Sequence, residues 1–407
     1  MTSLFPPLAN DAKRILHSLP GLIDRVFPMP GRFRHGLPDD VAELSRLLTS
    51  ARTERENYYL GKPALLSAYL RYFLPWNIYR LCRLLASLPV ELKAGAAVND
   101  LGSGPLTLPA ALWISRPDLR SVPLEFRCLD RTPAVLDAGK KFFSALTASA
   151  DGSKNCLWKI ITIRGEVKLN GKLSVQLRGK AGALTTAINI YNELFWNFSP
   201  ADSEGLEYFA EKQASLLSSI TAAPAKDADE KGSILIVEPG IPRSGEFISI
   251  IRSCLLNKGF PPISPCTHSN TCPFPGGYAG KGRHQSKTKW CHFAFDTEDA
   301  PEELHKLSAA SGIPKERAVL SFILAGGHCA GEANAQKNKS KIRVISDSFS
   351  LGNANAFGRY SCSDKGMVLL TGSRKALDSS PPGSLEEASL KNCKTDPKSG
   401  ALMAEKE

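Results

Sequence analysis

Residues 98–109 read VNDLGSGPLTLP, an apolar strand candidate that runs into two closely spaced glycines and then into a further apolar stretch. Asp100, Gly102, Ser103 and Gly104 therefore sit where a strand should turn into a helix. Glycine there lets the backbone approach a ligand, and a helix N-terminus offers unpaired N–H groups. Taken alone, Asp-x-Gly-x-Gly describes a plain tight turn equally well. The next strand candidate, LEFRCLD at 124–130, narrows the choice. It ends in Asp130, where an acidic side chain can accept hydrogen bonds from ribose hydroxyls. No third glycine follows in dinucleotide spacing and no Gly-Lys-Ser/Thr is present, which disfavours a pyrophosphate-cradling Rossmann or P-loop site. Nucleoside binding is the better reading.

This pattern resembles the S-adenosylmethionine site of class I methyltransferases. In that resemblance Asp100, Gly102, Ser103 and Gly104 line the methionine and adenosine end, and Asp130 the ribose. The surrounding chain has the matching alternation: AAVNDLGSG (96–104), LEFRCLD, ALTTAINIY (183–191) and SILIVEPG (233–240) are short apolar runs separated by helical stretches. Such alternation predicts an α/β fold with a parallel sheet and crossover helices. KIITIRGEVKLNGKLSVQLRG (159–179) alternates about Asn170-Gly171 and predicts a type I′ hairpin, an insertion or an antiparallel edge.

Outside this core, residues 1–95 read as a helical N-terminal region, with a start signal at Pro38-Asp39 and helical spacing through ALLSAYLRYFLPWNIYRLCRLLASL around Pro75. Tyr69, Arg71, Tyr72 and Arg80 on it can touch RNA or simply pack. The core domain is assigned to 96–330, a small β unit to 340–372, and 373–407, rich in Ser, Pro, Lys and Glu, to a disordered tail. Residues 222–232 and 331–341 read as polar surface loops.

The chain has 407 residues, 43% of them hydrophobic and 22% charged, which excludes wholesale disorder. No apolar run approaches the ~18 residues of a membrane span, so no membrane partner is expected. The N-terminus lacks the basic and apolar regions of a secretory signal, so a cytoplasmic protein with reduced cysteines is expected. A formal net charge of +11 favours an acidic partner, most often nucleic acid, against the alternative of a solvated basic surface. A monomer is the expected state.

Catalytic groups are harder to find. Amino-methylating relatives of the fold carry an Asn/Asp-Pro-Pro-aromatic segment after the fourth strand, and INIYNELFW (188–196) has no such prolines. Asn192 and Glu193 occupy that neighbourhood as substrate contacts or as helix caps. The catalytic residue is left unassigned.

Three of the ten cysteines fall within PCTHSNTCPFPGGYAGKGRHQSKTKWCHF (265–293): Cys266, Cys272 and Cys291. A reduced compartment favours metal over disulfides, with zinc and an iron-sulfur cluster both compatible, and scattered buried thiols are the plain alternative. Cys362, Cys329, His268 and His292 are candidates for a fourth ligand. Cys82, Cys128, Cys156 and Cys254 read as core residues, and Cys393 as part of the tail.

AYLRYFLPWN, NDLGSGP, IVEPG, PCTHSNTCP and WCHF, in that order, resemble the Rsm22 family over about residues 40–370. These are methyltransferase-like proteins of the small ribosomal subunit, with mitochondrial and bacterial members. The resemblance implies a class I fold that binds S-adenosylmethionine and joins a small C-terminal β unit through a cysteine-ligated cluster. It further implies a 4Fe-4S cluster, with zinc as the alternative, on Cys266, Cys272, Cys291 and, by position, Cys362. The implied partner is small-subunit rRNA, and the implied compartment of a eukaryotic member is the mitochondrial matrix. Two features depart from the family pattern: the glycine- and lysine-rich insertion at 276–289, which includes Lys281, Arg283, Lys287 and Lys289, and the segment 313–324, which keeps only a Ser-Phe core.

Overall fold

The computed structural model describes residues 3–54, 59–151, 156–199, 202–222, 232–276, 289–326, 339–352 and 356–406. The N-terminal region is helical: α1 (Asn10–Val26), α2 (Gly31–Arg34), α3 (Leu37–Leu48), α4 (Pro63–Ala68) and α5 (Leu74–Leu85). In α1, Ile15, Leu16, Leu19, Leu22 and Ile23 recur at helical spacing and are buried, while Asp11 in the first turn and Arg25 in the last suit the helix dipole. Between α4 and α5 the chain widens into a π turn, Tyr69–Phe73. Pro75 cannot donate to the carbonyl four residues back and its ring crowds it. The widened turn absorbs that conflict without breaking the helix.

The central sheet is built from β1 (Ala96–Leu101), β2 (Leu124–Asp130), β3 (Trp158–Arg164), β4 (Leu184–Ile188), β5 (Ser233–Pro239), β6 (Pro262–Ser264), β7 (Phe293–Asp296) and β8 (Arg317–Gly326). Their order is β3-β2-β1-β4-β5-β8-β6, with β7 also on β8. β1 to β5 run parallel and β8 is antiparallel to β5, β6 and β7. The crossover helices are α6 (Thr107–Ser115), α7 (Pro133–Asp151), α8 (Tyr191–Leu194), α9 (Ser203–Ile220), α10 (Pro242–Asn257) and α11 (Glu302–Ala310). This is the class I methyltransferase-like sheet expected from the glycine turn. The chain leaves β1 toward β2 and β3, then returns to β4 on the other side, which opens a crevice at the carboxyl ends of β1 and β4.

α6 is buried from Thr107 to Ile114, on every side, because the N-terminal helices cover the face turned away from the sheet. One apolar cluster accordingly joins Leu16 and Ile23 of α1, Ile78 and Leu81 of α5, Leu112 of α6 and Val98 of β1. The N-terminal region is thus a wall of the core domain.

Two expectations are corrected. Residues 159–164 form β3, a parallel edge strand, and the hairpin is confined to 166–174, where Lys168 N donates to Lys172 O at 2.8 Å. Its turn is not type I′, which needs positive φ at both central residues. Only Gly171 has it, at φ 69, as in a three-residue loop closed by a left-handed glycine.

The second correction concerns the tail. A six-stranded sheet follows the core, comprising β9 (Ser340–Val344), β10 (Phe349–Ser350), β11 (Phe357–Ser363), β12 (Gly366–Gly372), β13 (Leu385–Ala388) and β14 (Leu402–Glu405). The segment expected to be disordered from Ser373 supplies α12 (Arg374–Asp378), β13 and β14. β13 pairs with β9 and β14 with β12, so a polar composition is compatible with order because the strands cover open sheet edges. Buried Arg359 holds the return: its guanidinium donates to the carbonyls of Ser346, Leu377 and Ser380.

Candidate cofactor cleft and cysteine group

The crevice at the carboxyl ends of β1 and β4 is a cleft of about 320 Å³. Its floor is the glycine turn. Gly102 and Gly104 have φ of 67 and 55, a conformation that side chains disfavour. A Cβ on Gly102 would lie 2.8 Å from Ile190 Cδ1, so the turn is pressed against the segment after β4. From the other side α7 presses on it, since a Cβ on Gly139 would lie 2.6 Å from the carbonyl carbon of Pro105.

Asp130, at the end of β2, accepts from Gly104 N at 3.0 Å and from Thr132 N at 2.9 Å. It therefore fixes the turn as well as facing the cleft, a role that spacing alone did not reveal. Burial pushes its carboxyl above the ordinary range, although both amides favour the charged form. Asp100, at the end of β1, is 1% exposed and accepts from Thr186 Oγ1 at 2.7 Å. Its Oδ2 is buried with no hydrogen-bond partner among the described residues, and burial pushes its carboxyl up to about 6. Ser103 is buried beside it.

Asn192 and Glu193 lie on the short helix α8 and both line the cleft. The backbone amides of Tyr191 and Asn192 donate to the two carboxylate oxygens of Glu238, at 2.8 and 3.1 Å. Glu238 ends β5 in the IVEPG stretch, fully buried, and burial raises its carboxyl to about 8. The Asn192 side-chain oxygen is buried and has no partner among the described residues. Glu238 was missed at the sequence level, yet an acidic residue closing an otherwise apolar buried strand is itself a signal.

The N-terminal helices complete the cleft through Tyr69, Phe73, Asn77 and Arg80. Arg80 donates to Asn189 Oδ1 at 2.8 Å, and Asn189 holds a left-handed φ of 55 at the end of β4. Of the four residues considered for RNA contact, Arg71 and Tyr72 are buried, and Arg71 pairs with Asp24 at 3.1 Å. Tyr69 and Arg80 face the cleft instead.

Cys266 and Cys272 lie on the loop after β6, Cys291 just before β7, and Cys362 on β11 of the second sheet. The structure brings all four into electrostatic reach of one another: Cys291 is influenced by Cys272, Cys266 and Cys362. Burial first, then these neighbours, pushes the Cys291 thiol up, against the opposing charge of Arg343. Among the described residues, however, no three His, Cys, Asp or Glu side chains converge closely enough to hold a single metal ion.

Arg252 Nε donates to Cys266 Sγ at 3.2 Å, and His268 Nε2 lies 3.3 Å from Cys362 Sγ. Arg343 of β9 donates to Pro265 O at 3.0 Å and Asn270 to Asp364 O at 2.8 Å, so the loop is tied to the second sheet by hydrogen bonds as well. His292 stacks on Trp290. Cys82 and Cys128 are buried and Cys156 and Cys254 half-buried, while Cys393 packs on the second sheet's core. Cys329, Lys281, Arg283 and Lys287 lie outside the described residues, and Lys289 stands over the Tyr360 ring at 4.3 Å.

The family model described as mitochondrial small ribosomal subunit Rsm22 matches residues 212–349. That span contains Cys266, Cys272 and Cys291 but neither the glycine turn nor Cys362. No curated protein matches the chain. Among solved structures, a methyltransferase from Geobacter sulfurreducens in complex with S-adenosyl-L-homocysteine is 11% identical, with 70% of this chain and 97% of that one covered and a TM-score of 0.31. A methyltransferase from Thiobacillus denitrificans with the same ligand gives 12%, 69%, 97% and 0.31. Fibrillarin from Aeropyrum pernix, with S-adenosyl-L-methionine natively bound, gives 15%, 46%, 68% and 0.26. Likenesses this weak carry no argument about the site, and the fold assignment rests on the strand order. Among the described residues no helix is long and apolar enough to cross a membrane.

Proposed function

We propose that this member of the Rsm22 family binds S-adenosylmethionine in the switch-point cleft and acts on the small ribosomal subunit through rRNA contact, in its assembly or in translation. The cleft itself carries the reading: two left-handed glycines leave the backbone bare between Asp100 and Asp130. The ligand fits on two counts. Asp100 Oδ2 is a buried acceptor still to be satisfied, and the space over Gly102 is one that a side chain would fill. Asp130 would hold the ribose hydroxyls with the lone pairs left over from Gly104 and Thr132. When bound, S-adenosylmethionine supplies an electrophilic methyl group.

The four cysteines are proposed to hold a 4Fe-4S cluster, which would supply a structural link between the core and the second sheet. The donor set suits it, with four thiols from three segments and two arginines nearby to offset negative charge. Zinc, which needs thiolates at about 2.3 Å from one centre, is the alternative occupant. The ribosomal role rests on the family description and on the net charge of +11.

Active rRNA methylation is the second reading, favoured by the unsatisfied side-chain oxygen of Asn192 inside the cleft. Mapping methylated nucleotides of small-subunit rRNA with and without the protein separates the two. Loss of one modification, restored by the wild type and not by Gly102→Arg, establishes the enzyme. Unchanged modification with defective subunit assembly leaves the binding role. Normal subunits and normal modification overturn both.

A further inference from the structure

The charges lining the cleft are unevenly committed. The acidic ones are Asp100, Asp130, Glu166 and Glu193, and the basic ones Arg80 and Arg131. Asp130 is engaged by two backbone amides, and Arg131 stands 4.0 Å from Glu193. Two charged atoms remain buried and without a hydrogen-bond partner among the described residues: Asp100 Oδ2 and Arg80 Nε. They are opposite in sign, and the residues that carry them line the same cleft.

Their positions have an order. Asp130 closes β2, Asp100 closes β1, and Arg80 reaches Asn189 just after β4 and Val319 O on β8, at 3.3 Å. Across the sheet the sequence is therefore ribose acceptor, free anion, free cation. A nucleoside joined to an α-amino acid has the same order: ribose, then an ammonium and a carboxylate side by side.

We propose that Arg80, delivered by α5 of the N-terminal region, binds the carboxylate of the ligand's amino-acid end, with Asp100 Oδ2 taking the ammonium. This rests on the reading of the cleft as an S-adenosylmethionine site and adds its selectivity. Arg80 discriminates S-adenosylmethionine and S-adenosylhomocysteine from nucleosides that lack the amino acid. The neighbouring side chains support that role. Asn189 and Asn77 accept from Nη2, at 2.8 and 3.3 Å, which orients the guanidinium and leaves Nε for the ligand. Burial holds Arg80 below its ordinary range, at about 10, against the opposing influence of Glu238 and Tyr69, so a ligand carboxylate would offset the part of that cost they leave.

The test titrates S-adenosylhomocysteine and 5′-methylthioadenosine, which shares the nucleoside and thioether but has no amino acid, into the full-length protein and its Arg80→Met and Arg80→Lys variants. Arg80→Met should weaken S-adenosylhomocysteine by about 10- to 100-fold, the range for a charge-assisted hydrogen bond. It should leave 5′-methylthioadenosine unchanged, and Arg80→Lys should recover part of the loss. An unchanged preference between the two ligands overturns the proposal. So does an equal loss for both, which would make Arg80 a prop for Asn189 alone. If the wild type binds neither, the cofactor reading fails first, and that outcome is distinct from a wild type that binds both with a ratio indifferent to Arg80.

Discussion

Gly102→Ala perturbs the glycine turn by a known amount. Alanine at φ 67 costs about 1–2 kcal/mol in backbone energy. Its Cβ would also lie 2.8 Å from Cδ1 and 3.1 Å from Cβ of Ile190, and overpacking of that kind adds about 1–3 kcal/mol. Together the loss is about 2–5 kcal/mol. Gly104→Ala is the internal control: its φ is 55, but the nearest atoms to its Cβ are Tyr69 Oη at 3.8 Å and Thr107 Oγ1 at 3.9 Å. It should lose only the backbone part, about 1–2 kcal/mol. Gly139→Ala is the converse, with no positive φ but a Cβ 2.6 Å from Pro105. It should lose only the overpacking part, about 1–3 kcal/mol, displacing the turn and weakening S-adenosylhomocysteine binding. Denaturant unfolding and ligand titration of the three variants provide the assay. Equal losses at 102 and 104, or none at 102, would refute the described packing of the turn against Ile190.

Three further outcomes are expected. S-adenosylhomocysteine should bind more tightly as pH rises through about 6, because the ligand ammonium favours charged Asp100, whose carboxyl burial has raised to that value. Titration at a series of pH values should show the rise, and Asp100→Asn should abolish it. Deleting residues 373–407 should make the second sheet protease-sensitive, because it removes β13 and β14 and strips buried Arg359 of two carbonyl partners. A truncated chain as resistant as the full one would contradict the tail's place in the sheet. Anaerobically purified protein should be brown, with iron and acid-labile sulfide in equal amounts. Serine at Cys266, Cys272, Cys291 or Cys362 should remove both, whereas Cys254→Ser should not; a colourless protein with bound zinc would contradict the cluster.

The parallel core was legible because β1, β4 and β5 are short, mostly apolar segments buried almost throughout, even with Asn99, Asp100, Thr185 and Thr186 among them. The edge strand β3 was not. Its half-buried alternation looks like a hairpin arm, and only pairing with β2 makes it parallel. The polar C-terminal strands were illegible for a related reason: Glu386, Glu387 and Glu405 sit on strands whose order comes from the partners they cover. Asp100, Gly102, Gly104 and Asp130 could be placed from spacing because strand ends and turns are local. Arg80 and Glu238 could not, since Arg80 meets Asn189 across 109 residues of chain and Glu238 meets Tyr191 across 47. The grouping of Cys362 with the loop cysteines is equally non-local.

What the switch-point cleft holds decides the proposed function. Isothermal titration of S-adenosylhomocysteine into the purified full-length protein tests it most directly. Saturable binding at one site per chain, lost in Gly102→Arg while the fold is retained, is the predicted result. A folded wild type that takes up no S-adenosylhomocysteine, or a Gly102→Arg variant that binds it as the wild type does, would contradict the assignment of the cleft.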